Sequence, residues 1–260
     1  MNKYVIYTSL TGGYDNLVQL TCVSDEFDYI CFTDSDIEQS QKGIWTLRQI
    51  PKVVDDKQRL SRFPKMHPHV LLSEYEYSIY IDASVDIINK ELYNIFKRKI
   101  SEGVLLSGVK HPYRDCAYDE FYEVFKLRLV KNLPLLRKEY QFMKKVGFPS
   151  HYGLFEAGMI LRKHNDSRII SECELWWLMY NQYAKRDQLC YTYTIWKNNI
   201  TIDYLENVGL TSLNSYCRLS SHSKHNQPSG LFNIIKGFLY SYMIGHDYLI
   251  RCIFKFYMNF

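Results

Sequence analysis

Apolar residues run in short unbroken stretches through the first third of the chain and in helical spacing further on. Tyr4-Val5-Ile6-Tyr7-Thr8 predicts a buried strand, with Thr11 to Asn16 as the loop that leaves it. Phe27 to Phe32 predicts a second strand ending at Thr33-Asp34-Ser35, Trp45 to Ile50 a third, and Tyr77 to Ile81 a further buried strand ending at Asp82. Arg59 to Leu72 has helical period with proline interruptions. Tyr118 to Lys145 is helical and strongly basic, broken at Pro134; Leu154 to Leu161 reads as a strand, and Ile169 to Tyr183 and Arg186 to Lys197 as helices. Strands and helices follow one another with polar residues gathered where strands end. That is the pattern of an α/β sheet that binds its ligand at the carboxyl ends of its strands.

A chain of 260 residues can bury one sizeable core. The Ser/His/Asn/Pro/Gly-rich stretch from Ser220 to Gly230 is the one clear boundary, which predicts a domain over residues 1–220 and, over 221–260, a flexible loop and a helical tail. In that tail Leu231, Ile234, Ile235, Phe238, Leu239, Tyr242 and Met243 recur at helical spacing. Leu249, Ile250, Ile253, Phe254, Phe256, Tyr257 and Phe260 follow, interleaved with Arg251 and Lys255. An aromatic, weakly basic segment of this kind can lie in the plane of a membrane surface. The same stripe can equally pack on the domain or form a homodimer contact.

With 47% hydrophobic and 23% charged residues the chain has an ordinary globular balance, but its 23 tyrosines are many. Tyrosine offers an apolar ring face beside a hydroxyl, which suits sugar or membrane-interface surfaces, although compositional bias gives the same count. A net charge of +4 is too mild for a nucleic-acid partner and suits phosphates on a donor or a membrane. The seven cysteines are widely spaced without a CxxC pair, which argues against a disulfide framework or a structural zinc motif and suits a reducing compartment. The opening MNKYVIYTSLTGG has no basic region followed by a long apolar stretch, so no leader is expected. Near the C-terminus the longest stretch free of charge and histidine, Gly237 to Gly245, falls short of the roughly 18 residues of a spanning helix. The expected location is cytoplasmic, on the inner face of the membrane.

Candidate chemistry gathers in four places. In Tyr80-Ile81-Asp82-Ala83-Ser84-Val85-Asp86 a carboxylate ends a buried apolar strand, which is costly unless something positive sits there. A Mn²⁺ or Mg²⁺ ion bridging a diphosphate is one such occupant, with Asp82 as direct ligand and Asp86, or Ser84 through water, completing the set. The plain alternative is an aspartate capping the following turn. Arg59, Arg62 and Lys65 are spaced three apart, so on a helix they can converge on one anion, or else form a solvated face. Glu156 interrupts an apolar segment between Gly153 and Gly158 and suits general-base or nucleophile work at a sugar carbon, or pairs with a cation such as Arg162. Asp187 and Gln188 open a helix, where they can hold sugar hydroxyls or simply cap it. His222 and His225, in SHSKHN, are placed to reach the metal or the phosphates from a closing loop.

From about Tyr4 to Lys197 the chain resembles a glycosyltransferase-like family found in plant mucilage and turgor proteins and in bacterial polysaccharide loci. The resemblance rests on YTSLTGGYD, CFTDS, RLSRFPKMHPH, YSIYIDAS, HPYRDCAYDE, GLFEAGMILRKHN, ELWW and RDQLCYTYTIWK in that order. It implies a single GT-A-like, Rossmann-related domain: a central mixed β-sheet flanked by helices, followed by the helical tail. It implies that Asp82 is the first acid of a metal-binding motif whose second acid is replaced by Ser84, that Thr8 and Asp34 contact the nucleotide, and that Asp187 and Gln188 hold the donor sugar or acceptor. The function implied is transfer of a hexose-type sugar from a nucleoside diphosphate, such as a UDP-sugar, to a growing, lipid-linked bacterial surface glycan (O-antigen or capsule). Ser84 also admits a rival, a non-catalytic carbohydrate-binding scaffold with a degenerate transferase fold. A nucleotidyltransferase is a third reading.

Overall fold

The computed structural model describes residues 2–12, 17–35, 41–206, 208–210, 215–220 and 247–259. In chain order its elements are β1 (Tyr4–Leu10), β2 (Phe27–Thr33), β3 (Gln41–Lys42), β4 (Trp45–Gln49), α1 (Lys57–Met66), α2 (Pro68–Leu71), β5 (Tyr77–Ile81), β6 (Val85–Ile87) and α3 (Glu91–Ser101). There follow β7 (Leu106–Lys110), α4 (Ala117–Lys126), α5 (Leu133–Lys145), β8 (Phe155–Arg162), α6 (Ser167–Gln182), α7 (Asp187–Lys197), β9 (Cys217–Leu219) and α8 (Asp247–Asn259).

Seven strands form one mixed sheet in the order β3-β4-β2-β1-β5-β8-β7. Strands β4, β2, β1 and β5 are parallel, whereas β3, β8 and β7 each run antiparallel to a neighbour. This agrees with the expected architecture of a central mixed sheet flanked by helices. Period-2 alternation divides β1 between two cores: Val5 and Tyr7 join the layer beneath α1, α6 and α7, while Ile6 joins the layer beneath α3. From β1 the chain builds outward through β2 and β4, then returns to the other side of β1 as β5. The carboxyl ends of β1 and β5 therefore meet at a topological switch point, where α/β sheets open a crevice.

Proline chemistry explains where expected helices divide. The helix expected over Arg59 to Leu72 begins earlier, at Lys57, because Asp56 caps it by accepting from the Arg59 N–H at 2.9 Å. It stops at His67, which adopts φ −129° ahead of Pro68, as a residue before proline prefers. Pro134 does not break a helix; it lies in the first turn of α5 after the Asn132 cap, where its missing N–H costs nothing.

Helix α8 packs on the domain. Phe254 and Met258, four apart, are buried, and the Phe254 ring sits 5.4 to 5.6 Å from those of Tyr122, Phe125 and Tyr140. Asp247 accepts from Tyr122 Oη and Lys126 Nζ, both at 2.6 Å. Of the readings of the tail, packing on the domain holds for this helix, while Tyr248, Leu249 and Ile253 face outward. The apolar positions from Leu231 to Met243 lie outside the described residues. Among the described residues no helix is long and apolar enough to cross a membrane.

Candidate active site

A cleft of about 580 Å³ opens at the switch point. One wall is the segment Ser9 to Gly12 leaving β1, a second is the exposed face of α1, and the third is Asp82, Ala83 and Ser84 at the end of β5. The Asp82 carboxylate is held in place from two sides. Its Oδ1 accepts from Tyr80 Oη at 2.8 Å, and its Oδ2 occupies space beside Gly158, where a Cβ would come within 2.9 Å of it. Gly158 is thus required for close approach to this carboxylate. Asp34, at the end of β2, accepts from the Gly12 N–H at 2.8 Å and so shapes the cleft rim without lining it.

The cleft face of α1 is cationic but not quite the face expected. Lys57, Gln58, Ser61 and Arg62 line the cleft, at the i, i+4 spacing of one helical side. Arg59 turns away, its Nη2 donating to the Asn181 carbonyl at 3.4 Å. Lys65 lies one turn deeper and is buried, with Nζ 2.6 Å from Asp187 Oδ2 and near the Tyr80 and Trp176 rings. Arg62 Nε is 3.5 Å from the same carboxylate oxygen, and Asp187 in turn holds Arg62 firmly charged. Burial alone would raise the pKa of Asp187. Lys65 and Arg62 outweigh that and hold it well below the usual carboxylate range. Asp187 therefore positions Arg62 at the cleft wall, with the buried Lys65 behind it, and does not itself line the cleft.

Asp82 and Ser84 are shared with a second cavity, of about 360 Å³. Glu156 and Gln188 both line it, which brings together two of the residues expected at the sugar. Burial raises the Glu156 carboxyl above its usual value, although its Oε2 accepts from the Leu210 N–H at 3.2 Å. A carboxyl poised upward in a cavity beside a strand-end aspartate can exchange protons with a hydroxyl. It does not pair with Arg162, which is buried and donates to Tyr7 Oη and the Lys65 carbonyl.

Two other expected residues, Asp86 and Thr8, stand apart from both cavities. Asp86 is committed elsewhere: on β6, paired with β9, its carboxylate accepts from the Thr21 N–H at 2.7 Å, Thr21 Oγ1 at 2.9 Å and Arg218 Nη2 at 2.8 Å. That corrects its placement beside Asp82, since the β6–β9 pairing turns it toward Thr21. Thr8 is fully buried in β1 and lines neither cavity. His222 and His225 lie outside the described residues. Sequence reading missed His111, Arg114, Glu120 and Arg186, which also line the second cavity. Arg114 grips the buried Glu120 at 2.7 Å, with Arg186 3.9 Å from its other oxygen. Burial and the Arg114 guanidinium lower the His111 pKa to about 4, so this imidazole is neutral. The segment HPYRDCAYDE contained three of these residues, and its mixture of Arg, His and acids just after a strand was the available signal.

The family model described as TOD1/MUCI70, glycosyltransferase-like domain, matches residues 15–218. No curated protein matches the chain. Two solved structures align with it at a TM-score of 0.43 each. One is a galactosyltransferase, LgtC, in complex with donor and acceptor sugar analogs, at 13% identity over 77% of this chain and 72% of that one. The other is mouse xyloside xylosyltransferase 1 in its apo form, at 11% identity over 78% of this chain and 84% of that one.

Proposed function

The chain belongs to the TOD1/MUCI70 glycosyltransferase-like family, and on that premise we propose that it transfers a hexose-type sugar from a nucleoside-diphosphate donor, a UDP-sugar, to a glycan acceptor. The observation that carries this reading is the pair of cavities with one common wall. The first has cations on α1 opposite Asp82, which suits a diphosphate, and the second has carboxylates, guanidinium groups and an amide around Asp82, which suits hydroxyl-rich sugars. Transfer needs the donor phosphates and the acceptor hydroxyl on either side of one reacting carbon, and the shared wall supplies that adjacency.

In this reading Arg62, backed by the Lys65–Asp187 pair, binds the diphosphate and neutralises charge that builds up as it leaves. Glu156 takes the proton of the acceptor hydroxyl, and Gln188 orients the sugar. The donor set fits a hard divalent cation. Asp82 offers one carboxylate on the common wall beside the Ser84 hydroxyl, enough for Mn²⁺ or Mg²⁺ completed by phosphate oxygens and water. When bound there, such an ion supplies further charge neutralisation at the departing diphosphate. The division of the chain into a transferase domain over 1–220 and a tail belongs to the same proposal. The outward face of α8, with Tyr248, Leu249 and Ile253 beside Lys255, supports a peripheral position at a membrane, where a lipid-linked bacterial surface glycan would be the acceptor.

Ser84 at the position of a second acid favours one rival, a glycan-binding scaffold without turnover. A thermal-shift screen of nucleotide sugars, with and without Mn²⁺, tests the proposal. Stabilisation that grows with UDP-sugar concentration and deepens with Mn²⁺ supports it. Stabilisation by free glycans alone supports the scaffold.

A further inference from the structure

Beyond the cleft, the fold assembles a set of side chains that sequence spacing concealed. Cys116 precedes α4, Asp119 lies in its first turn, and His151 lies in the connection between α5 and β8. One ligand atom from each falls within 4.8 Å of the others. The edge of a zinc tetrahedron is about 3.5 Å for bonds of the usual lengths, so a modest contraction closes the set. We propose that Cys116, Asp119 and His151 bind one Zn²⁺ ion, with solvent at the fourth position.

Three observations support zinc there. The donors are a thiol, an imidazole and a carboxylate, a combination that suits Zn²⁺ and not the all-oxygen shells of Mg²⁺ or Mn²⁺. The imidazole is already oriented, since His151 Nδ1 lies 2.7 Å from Asp115 Oδ1. A carboxylate on one ring nitrogen, leaving the other nitrogen's lone pair for the metal, is the usual arrangement around a zinc-bound histidine. The backbone is also committed to the geometry. His151 sits at φ 55°, a conformation that non-glycine residues seldom adopt, and the Gly153 N–H donates to the Asp115 carbonyl at 2.9 Å. Cys116 adopts extended φ/ψ at the helix start without its side chain capping the helix, which leaves the sulfur uncommitted there.

Bound zinc would clamp the connection from β7 to α4 onto the one before β8. The first of these carries His111 and Arg114 into the second cavity, so the ion would stiffen one wall of that cavity from behind. This inference does not depend on the transferase reading.

The test uses the full-length protein stripped of metal with a chelator. Calorimetric titration with Zn²⁺ is expected to give one equivalent, unaffected by excess Mn²⁺, and Co²⁺ in its place is expected to give a thiolate-to-metal absorption band. His151→Ala, at an exposed residue, is expected to abolish that equivalent. Asp115→Asn is expected to weaken it about 10- to 100-fold, as loss of an orienting carboxylate does. Cys116→Ser should remove the cobalt band. Stoichiometry that stays at one in His151→Ala, an absent cobalt band in the parent protein, or no binding at all overturns the proposal. Because the readout is metal binding, failure here leaves sugar transfer untouched, and failure of transfer leaves zinc binding untouched.

Discussion

Replacing Lys65 with methionine removes a buried charge while keeping most of the side chain's length, and the structure fixes what that should cost. Lys65 Nζ lies 2.6 Å from Asp187 Oδ2, with the two side chains 3% and 13% exposed. At an effective dielectric of about 20 the attraction at that distance is about 6 kcal/mol, offset by several kcal/mol spent desolvating each ion. Removing one partner leaves the other buried and uncompensated, which typically costs about 3–5 kcal/mol. Arg62, 3.5 Å from the same oxygen, takes up part of the loss, so we expect about 3 kcal/mol for Lys65→Met. Asp187→Asn should cost a similar amount, because it strands the Lys65 ammonium. In the double variant neither charge remains, and we expect at least about 2 kcal/mol of the summed loss to return. Urea denaturation of the four proteins, with unchanged m-values, measures this coupling. A pH series adds a sign. Asp187 has its folded pKa lowered from an ordinary value of 3.8, so its contribution is present above that value and is lost as pH falls below it. The gap between parent and Asp187→Asn should therefore close in acid. Additivity of the single variants within about 0.5 kcal/mol would refute the reasoning, since uncoupled groups cannot be holding one another in place.

Further expectations follow from other parts of the molecule. Arg62→Ala should weaken UDP binding about 10- to 100-fold in calorimetry, as loss of a charged hydrogen-bonding partner does, with the fold intact; unchanged affinity would return Arg62 to a solvated face. Burial, partly offset by Arg162, raises the Glu172 carboxyl to about 7 from 4.5. The folded state thus binds that proton more tightly, so the contribution of Glu172 is fully present below about 4.5, falls as pH rises toward 7 and then levels, a swing of about 3 kcal/mol. Denaturation across that range should show the swing in the parent and not in Glu172→Gln, and identical profiles would count against it. Phe254→Ala should destabilise the protein by about 3–5 kcal/mol in urea, while a loss below about 1 kcal/mol would mean that α8 does not pack as described.

Much of the sheet was legible because its central strands are unbroken apolar runs. Tyr77 to Ile81 reads as a strand at once, and the aspartate that follows it marks the site. What escaped was set by contacts between distant segments. Asp86 looks like a companion of Asp82 until β9 pairs beside it and brings Arg218 to its carboxylate, and Thr21 approaches from 65 residues away. Helix period identifies α1, but which of its sides meets the cleft is set by packing against α6, where Arg59 donates to the Asn181 carbonyl, so that Lys57, Gln58, Ser61 and Arg62 line the cleft. The second cavity draws on β8, α4 and the start of α7, whose side chains meet only after the sheet has formed. His151 and Cys116, 35 positions apart, illustrate the same limit, since no sequence spacing announces the pair.

The central claim is that the common wall of the two cavities carries out sugar transfer from a nucleoside diphosphate, and Asp82→Asn tests it most directly. The measurement is nucleoside diphosphate released per glycosylated acceptor, with UDP-sugar and Mn²⁺, for the parent protein and the variant. The parent should release UDP in step with glycosylation. The variant should keep its fold and its urea midpoint but turn over about 100-fold more slowly or worse, as expected for the loss of about 3 kcal/mol of charge stabilisation. Near-normal turnover by Asp82→Asn, or release of inorganic diphosphate in place of UDP, would contradict the account.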